Sequence, residues 1–514
     1  MNGFRAATAA FRDAYMHPDG ADATDLVGLS SLGDAWSRVD ARRLRYSINW
    51  AFYSFDQYRD LHKWARKYRS DYGLYRNTRS IYSPTYRLVE LHVAHIHGGP
   101  LDLLAGDGKA RPTAIPITTN DERLREAIGQ LWKTSRWGTW KDVWIRWGVA
   151  LGDVALTVED DPIRGEVALC PVHPRSIRDV ELDTRGNVRG YCREEMRLHP
   201  KEPRDGTGNP RYVLYSEHCS RGPGQDIRYQ TYLDGKPYAW NGNSADWVMP
   251  YGFVPMVLTQ HLNVGLPWGV SEAHAAMART REIDDLGSKL NDQVRKLVEA
   301  PWLITGAKGG NADFSTNRNT NEATPEGRQA DREESLLLFI KGENVRAQAM
   351  VAEVKIAEVS EHIGTILAEM AQDYPELRYD TLRATGSVTG QALREARKPA
   401  EQKFQLRRGA YDEALVRAQQ MAVSIGGMRG YDGYQGFSLD SFKAGALDHQ
   451  IGNRSVFGHD PVEALEEESL FWSVADQALK AGVPLPLFLK RHGWSDEQIS
   501  EIETAGGRPL GFNP

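Results

Sequence analysis

The sequence predicts an α+β protein with a mixed α/β first half and a largely helical second half. At 514 residues the chain is too long for one simple core and suggests two to four structural units. Helix-like periodicity dominates before about residue 150 and after 271, whereas 151–260 is rich in short β-type segments. Hydrophobic residues make up 41% and charged residues 26%, which is typical of a chain that folds along most of its length.

The N-terminal part interleaves basic and aromatic side chains. Residues 36–87 contain 12 Lys/Arg and 4 Asp/Glu together with many Trp, Tyr and Phe. A pair of amphipathic helices with buried rings explains this pattern. A subunit interface rich in aromatic and Arg anchors, or a surface that stacks on nucleic acid, would carry the same residues. The opposite charge lies near the C-terminus, where 460–503 contains 3 Lys/Arg and 10 Asp/Glu.

Helix signals then follow along the chain. Pro84 stands at a first helical turn, and Gly98-Gly99 supplies the stop. Thr119 and Glu122 have the spacing of a capping box before a second helix. A third helix is expected around Trp140 to Trp147. After it, Val-, Ile- and Tyr-rich segments separated by Asp-Gly and Arg-Gly turns predict antiparallel strands from about 151 to 260.

Two long helices are predicted around a small insert. The first spans 271–299 and ends before Pro301, and the second spans 343–372. Between them, strand-like PWLITG and SLLLFIKG flank a polar loop at 306–335, which has too few apolar residues to form a core. An irregular stretch after Pro375 precedes a third long helix.

That third helix spans 389–425. Pro399 lies inside it, removes one backbone hydrogen bond and predicts a kink. The acidic C-terminal part is expected to form a helix at 461–481, a break at Pro484 and Pro486, and a last helix capped by Ser495.

Catalytic and metal-binding motifs are weak in this sequence. The phosphate-binding loop, the G-x-S-x-G elbow, H-E-x-x-H and the EF-hand pattern are all absent. The three cysteines form no CxxC pair, which indicates neither a disulfide framework nor a cysteine-rich zinc site and suits a reducing compartment. The longest apolar run is five residues, Leu336 to Ile340, so we expect neither a signal peptide nor a membrane span.

Three clusters of side chains are nevertheless candidates for metal binding or catalysis. His92 and His95 have i, i+3 spacing, with His97 close by, but lack a neighbouring carboxylate or cysteine in sequence, so packing and capping explain them best. Two acidic runs would suit Mg²⁺ in a nuclease but are more typical of solvated turns and helix faces. Cys219 next to His218 resembles a thiol–imidazole pair, although neighbours in a strand point to opposite faces. The acidic runs are Glu159, Asp160, Asp161 and Glu282, Asp284, Asp285. We therefore predict no catalytic residue, no cofactor and no metal.

The order of the segments resembles the portal proteins of tailed bacteriophages from about Tyr75 to Ile502. The similar fragments are Ser83-Pro84 to Gly98-Gly99-Pro100, GVALGDVALTVEDD with Val172-His173-Pro174, Gly269-Val-Ser271-Glu272 before a long helix, Ala384-Thr-Gly386-Ser-Val-Thr389-Gly390-Gln-Ala392-Leu393, and Gly482-Val-Pro484 with Gly493-Trp-Ser-Asp-Glu497. The fourth fragment is similar to the family's "S-G-x-A-L" helix start, with Thr389 in place of the usual serine.

The resemblance implies a fold and its divisions. Residues 1–270 would form the wing and 426–514 a C-terminal wing or crown region. Between them, the two stem helices would be 271–299 and 343–372, and the clip would lie between these helices at 300–342. The tunnel loop would follow at 373–388 and the kinked helix at 389–425.

The resemblance also implies a function without catalysis. Copies of the chain, typically twelve, would form a ring at one capsid vertex of the virion, assembled in the host cytoplasm, through which double-stranded DNA passes during packaging and ejection. Further implied partners are the major capsid protein and scaffold, the terminase motor and a head–tail adaptor, with no membrane. The residues expected near DNA in the tunnel loop are Arg378, Arg383, Thr385, Gly386 and Ser387. Alternatives are a metal-dependent phage nuclease or other nucleic-acid enzyme, and a different ring or adaptor component.

Overall fold

Helices and antiparallel sheets alternate in the first half of this computed structural model, and long helices dominate the second half, so the α+β prediction is confirmed. The structure describes residues 38–55, 82, 84–101, 113–222, 224, 226–239, 244–298, 302–305, 337–340, 346–349, 356–385, 390–457, 461–492 and 499. Residues up to 454 form one compact unit, and residues from 455 onward form a second. Within the described residues, no helix combines the length and the apolar character needed to cross a membrane.

The described helices of the first unit range from 5 to 40 residues in length. They are α1 Val39–Tyr53, α2 Pro84–Ile96, α3 Glu122–Thr134, α4 Trp137–Leu151, α5 Ala276–Val298, α6 Ile356–Asp373, α7 Pro375–Thr385, α8 Gly390–Arg429 and α9 Leu439–Lys443. Helix α2 begins at Pro84, as predicted. The capping box predicted before α3 is wrong, because the carboxylate of Asp121 accepts from Arg123 N while Thr119 Oγ1 accepts from Asp121 N.

The strands between 151 and 260 pair only antiparallel among the described residues, which confirms the prediction for this segment. They are β2 Asp153–Asp161, β3 Glu166–Val172, β4 Ile177–Leu182, β5 Val188–Leu198, β6 Tyr212–Arg221, β7 Ile227–Leu233, β8 Lys236–Pro237, β9 Asp246–Met249 and β10 Met256–Gln260. One sheet has the order β10-β2-β3; the other has the order β4-β5-β6-β7-β8, with β9 also paired to β7. A two-stranded sheet joins β1 (Ile117–Thr118) to β14 (Gln450–Ile451).

A small sheet lies between α5 and α6 in sequence. Strand β11 (Trp302–Thr305) pairs parallel with β12 (Leu337–Ile340) and antiparallel with β13 (Arg346–Ala349). The two predicted strands are therefore confirmed, whereas the loop 306–335 lies outside the described residues. The helix predicted over 343–372 begins only at Ile356, because pairing with β11 makes 346–349 a strand.

Two further boundaries differ from prediction. The helix expected from residue 271 begins at Ala276, since Ser271 Oγ accepts from Ala273 N and donates to Val149 O, which fixes a turn there. The stretch after Pro375 is helical rather than irregular, with Pro at the first position of α7 and Leu377 buried. Helix α8 is one continuous helix through Pro399, and the kink stays a prediction.

Among the described residues of the first unit, the two largest hydrophobic cores organise the fold. The larger contains buried residues of α2, α3, α4, the antiparallel strands and the C-terminal half of α8. The second joins α1, α2, α5, α6 and α7 through residues such as Phe52, Leu88, Ile283 and Ile366. Gly152 lies between α4 and β2 with a φ of +99°, and a Cβ there would be 2.7 Å from Ser271 N. Only glycine fits this close approach, which fixes the chain just before Glu272.

The second unit contains α10 (Pro461–Lys480) and α11 (Leu485–Arg491). Ala475 packs against Phe488 and Leu489 in its core, with Phe471 and Trp472 at the edge. The predicted helix over 461–481 is confirmed, and α11 carries Pro486 in its first turn. Ser495 lies outside the described residues.

Candidate functional site: a buried polar junction

A cluster of charged and imidazole side chains lies where four parts of the chain meet. Helix α2 contributes His92, and the segment between β10 and α5 contributes both His261 and Glu272. Helices α7 and α8 contribute Glu376 and Lys403. We call these five residues the polar junction. His92 is 0% exposed and Glu376 is 1% exposed, so their polar atoms face other protein groups and not bulk solvent.

Lys403 joins the two carboxylates. Its Nζ lies 2.8 Å from Glu272 Oε1 and 2.7 Å from Glu376 Oε1. Each carboxylate also accepts from an imidazole: His261 Nε2 is 2.9 Å from Glu272 Oε2, and His92 Nε2 is 3.2 Å from Glu376 Oε1. The junction therefore connects α2, α7 and α8 to the segment that enters α5.

A second layer of groups holds the junction in place. Arg407 Nε donates to Glu272 Oε2 at 3.0 Å. Because His261 Nε2 donates to a carboxylate, its Nδ1 accepts from the Tyr411 hydroxyl at 3.0 Å. Tyr374 donates its hydroxyl to the backbone oxygen of Glu272, and the Lys403 ammonium lies 4.7 Å from the Tyr374 ring centroid.

The electrostatic balance keeps the carboxylates ionised. Burial alone would raise the pKa of Glu272, but the hydrogen bond from His261 and the charge of Lys403 outweigh it, and the pKa lies far below its ordinary value. The pKa of Glu376 is lowered against burial by His92 and Lys403 in the same way. Burial lowers the pKa of His261 to about 4, despite the nearby Glu272, so this imidazole is neutral at pH 7.

Three of these residues have the geometry of metal ligands. One ligand atom from each of His92, His261 and Glu272 lies within 4.8 Å of the others. Imidazole nitrogen and carboxylate oxygen are the donors of many zinc sites. The histidine partner considered from sequence is not among them: His95 Nδ1 lies 2.7 Å from Leu91 O, and its ring stacks on Phe404.

The third histidine of that cluster has a separate role. His97 is buried, and its Nε2 lies 2.7 Å from Asp412 Oδ1. Arg454 also binds Asp412, with its Nη2 atom 2.7 Å from Asp412 Oδ1. His97 and Asp412 thus join the end of α2 to α8 at a point separate from the polar junction.

The acidic runs are engaged by protein donors. Both oxygens of Asp160 accept hydrogen bonds, from Tyr251, Tyr431 and Arg429. Asp284 accepts from Tyr82 N at 2.6 Å, and Asp285 lies 2.6 Å from Lys289 Nζ. These contacts favour structural roles for both runs.

The thiol–imidazole pair is rearranged relative to the sequence. His218 Nε2 lies 3.6 Å from Cys192 Sγ on the neighbouring strand, whereas Cys219 is buried. Burial raises the pKa of Cys192 to about 11, so the thiol is protonated at neutral pH and is a poor nucleophile.

The residues expected near DNA lie on and after α7. Arg378 is exposed and has no ion-pair partner among the described residues, because Glu376 is engaged in the junction and Asp380 lies 3.6 Å from Arg87 Nε. Thr385 is the last residue of α7. The Arg383 side chain and residues Gly386 and Ser387 lie outside what the structure describes.

The polar junction was missed in the sequence because its members are far apart. His92 and Glu376 are separated by 284 positions, and Glu272 lies in what was expected to be a helix. One signal in the sequence could have indicated that His92 is buried: it lies four and three positions after the apolar Leu88 and Val89, on the same face of a helix.

The sequence matches no protein-family model and no curated protein.

Proposed function

We propose that this chain is a portal protein of a tailed bacteriophage, one subunit of a ring through which DNA enters and leaves the capsid. The observation that carries the proposal is the order of α5, the β11–β13 sheet and α6: a long helix, a small sheet and a second long helix. This order supports the division into stem, clip and stem that the sequence resemblance implies. At 1.5 Å per residue, the 23 residues of α5 measure about 35 Å.

Packing of the two stem helices agrees with this division. Ile283 of α5 and Ile363 and Ile366 of α6 belong to one core, which also includes Leu44 of α1 and Leu88 of α2. The stem would therefore be fixed to the wing at its base. Apolar side chains remain exposed on these helices and on α8, namely Val294, Leu367 and Leu406. We expect neighbouring subunits of the ring to cover them.

The charge of the stem and of α7 suits a DNA conduit. Residues 271–299 carry five Lys/Arg and six Asp/Glu, so the first stem helix would bind phosphates weakly and would not stall transport. The exposed Arg378 would form a ring of positive charge by symmetry, and Arg383 would add a second. DNA contact at these two positions is part of the proposal.

The polar junction has a mechanical role in this proposal. Residues 386–389 connect α7 to α8 and would lie in the tunnel loop. Glu376 and Lys403, which bind each other directly, lie on the two helices that carry this loop. The junction would hold the base of the loop against the wing and the start of the stem while DNA passes. The chain would act without catalysis, and its partners would be capsid protein and scaffold, the terminase motor and a head–tail adaptor.

Native mass measurement tests the proposal. We expect the purified chain to form closed rings, and Leu406→Glu to reduce ring formation, because it places a charge where a neighbour would pack. Leu406 is 71% exposed, so this change should leave the folded subunit intact. Gln405→Glu is the matched control, with the same new charge at an adjacent exposed position.

Two results would contradict the proposal. Subunits that remain monomeric in the presence of capsid and scaffold proteins would argue against a ring. Mg²⁺-dependent cleavage of plasmid DNA that Asp284→Ala abolishes would favour the nuclease alternative.

A further inference from the structure

Two polar atoms of the junction that could bind a ligand make no hydrogen bond within the described residues. His92 Nδ1 and Glu376 Oε2 are buried and have no hydrogen-bond partner among the described residues. Buried polar atoms without partners are uncommon because each costs free energy. His92 is a member of the convergent group with His261 and Glu272, and Glu376 adjoins that group through its hydrogen bond with His92.

The centre of the junction already accommodates a cation. The ammonium of Lys403 lies between Glu272 and Glu376, at 2.8 Å and 2.7 Å from their oxygens. A metal ion bound by both carboxylates would have to displace this ammonium. The side chain of Lys403 is 17% exposed, more than those of the two carboxylates it binds.

Hydrogen bonds on both ring nitrogens fix the orientation of the His261 imidazole. The two nitrogens of His261 face Glu272 and Tyr411. When Nε2 binds a metal, Nδ1 carries the proton and donates it to the Tyr411 hydroxyl oxygen. A hydrogen bond from the second nitrogen of a metal-bound histidine is the usual way in which proteins fix its orientation.

We propose that the polar junction is a binding site for one divalent transition-metal ion of the zinc class, in exchange for the ammonium of Lys403. His92, His261 and Glu272 are the ligands, and Glu376 is the fourth donor. Two imidazoles and two carboxylates match the donor preference of Zn²⁺ and Co²⁺, and four donors suit their tetrahedral coordination. The ion would link α2, α7 and α8 to the segment before α5 more rigidly than a lysine does. This inference does not depend on the portal proposal.

Titration of the full-length chain with Co²⁺ tests the site. The protein is purified without a polyhistidine tag, dialysed against EDTA and freed of the chelator. We expect one Co²⁺ per chain with the intense visible absorption of tetrahedral coordination, and a higher thermal midpoint with Zn²⁺, because the ion binds the folded state. Elemental analysis gives the stoichiometry.

Matched variants locate the ion. His92→Gln and His261→Gln should lower affinity at least about tenfold, whereas His95→Gln, close by on the same helix, should leave it unchanged. Lys403→Met should tighten binding roughly tenfold or more, since it removes the competing charge. Lys398→Met is its control, because Lys398 is 63% exposed and pairs with Glu395.

Several outcomes would overturn the inference. One is the absence of Co²⁺ absorption in the wild-type chain, which decides the question even when a variant fails to fold. Absorption that survives both His92→Gln and His261→Gln would place the ion elsewhere. Binding by Lys403→Met alone would show that the ammonium excludes metal from the natural protein. Ring formation is measured without added metal, so its failure is distinguishable from failure of this site.

Discussion

Replacement of Lys403 by methionine tests whether the polar junction stabilises the fold. Methionine keeps much of the volume and the unbranched shape of lysine but removes the ammonium between Glu272 and Glu376. Both carboxylates are nearly inaccessible to solvent, at 4% and 1% exposure of their side chains. The variant therefore leaves two buried negative charges with Arg407 as the remaining nearby cation.

The expected loss in the free energy of unfolding follows from the burial of the two carboxylates that Lys403 binds. Removing one partner of a buried ion pair costs about 3–5 kcal/mol, because the other charge stays desolvated. Lys403 is 17% exposed, so we expect the lower end, about 3 kcal/mol. The control Lys398→Met removes a surface pair on the same helix and should cost less than about 1 kcal/mol. In Lys403→Met/Glu376→Gln, one uncompensated charge is gone, and we expect part of the loss to be recovered.

Denaturant unfolding followed by tryptophan fluorescence measures these differences, with the native mass of each variant determined beforehand. The comparison between Lys403→Met and Lys398→Met is the deciding one. Equal free energies of unfolding for the two variants would refute the view that the junction is a buried, charge-balanced cluster. A double variant less stable than Lys403→Met would likewise contradict it.

Three further predictions concern other features. The pKa of His261 is about 4 in the folded state and 6.5 in the unfolded state, so the unfolded chain takes up a proton first as the pH falls. The contribution of neutral His261 to the free energy of unfolding is therefore fully present above pH 6.5 and is lost as the pH falls towards 4. His261→Gln should remove up to about 3 kcal/mol of this acid destabilisation, as measured by unfolding at pH 7 and pH 4.5; an unchanged pH dependence would contradict it. Gly152→Ala should cost about 1–3 kcal/mol in an unfolding titration, because its φ is +99° and the new Cβ would meet Ser271 N; no loss would argue against the described turn. Pro399→Ala, at an exposed position in the first third of α8, should stabilise the protein by up to about 3 kcal/mol in the same unfolding titration, whereas destabilisation would show that the proline suits a bend that the fold requires.

Much of the fold could be predicted because local signals agree with the tertiary structure. Pro84 fixes the backbone at the first turn of α2, and alternating or continuous apolar runs between 151 and 260 specify strands. The predicted strands at Trp302 and Leu337 are also present. In β2, for example, the apolar residues that favour a strand are also buried, as Val154, Leu156 and Val158 show.

Predictions failed where long-range contacts decide the local structure. Residues 346–349 were expected in a helix but form β13, because β11 offers an edge for hydrogen bonding. Helix α7 was expected to be irregular, yet burial of Leu377 and the contacts of Glu376 hold it in place. Neither effect is visible in a window of neighbouring residues.

The candidate site was least predictable of all. From the sequence, packing and capping explained His92 and His95 best, and a metal shared by the two was the alternative, whereas the fold brings His92 to Glu376 and His261. Glu272 became available only because the chain turns before α5 instead of starting that helix at 271. A polar cluster built from four distant segments leaves no spacing pattern in the sequence.

Cryo-electron microscopy of the purified chain tests whether it is a portal subunit. We expect closed rings of about twelve copies, near 700 kDa for chains of 57.7 kDa, with a central hole wide enough for duplex DNA. Within the ring, α5 and α6 should surround the hole, and Arg378 should face it. Particles without a central channel, or rings in which α5 and α6 lie on the outer rim, would contradict the account.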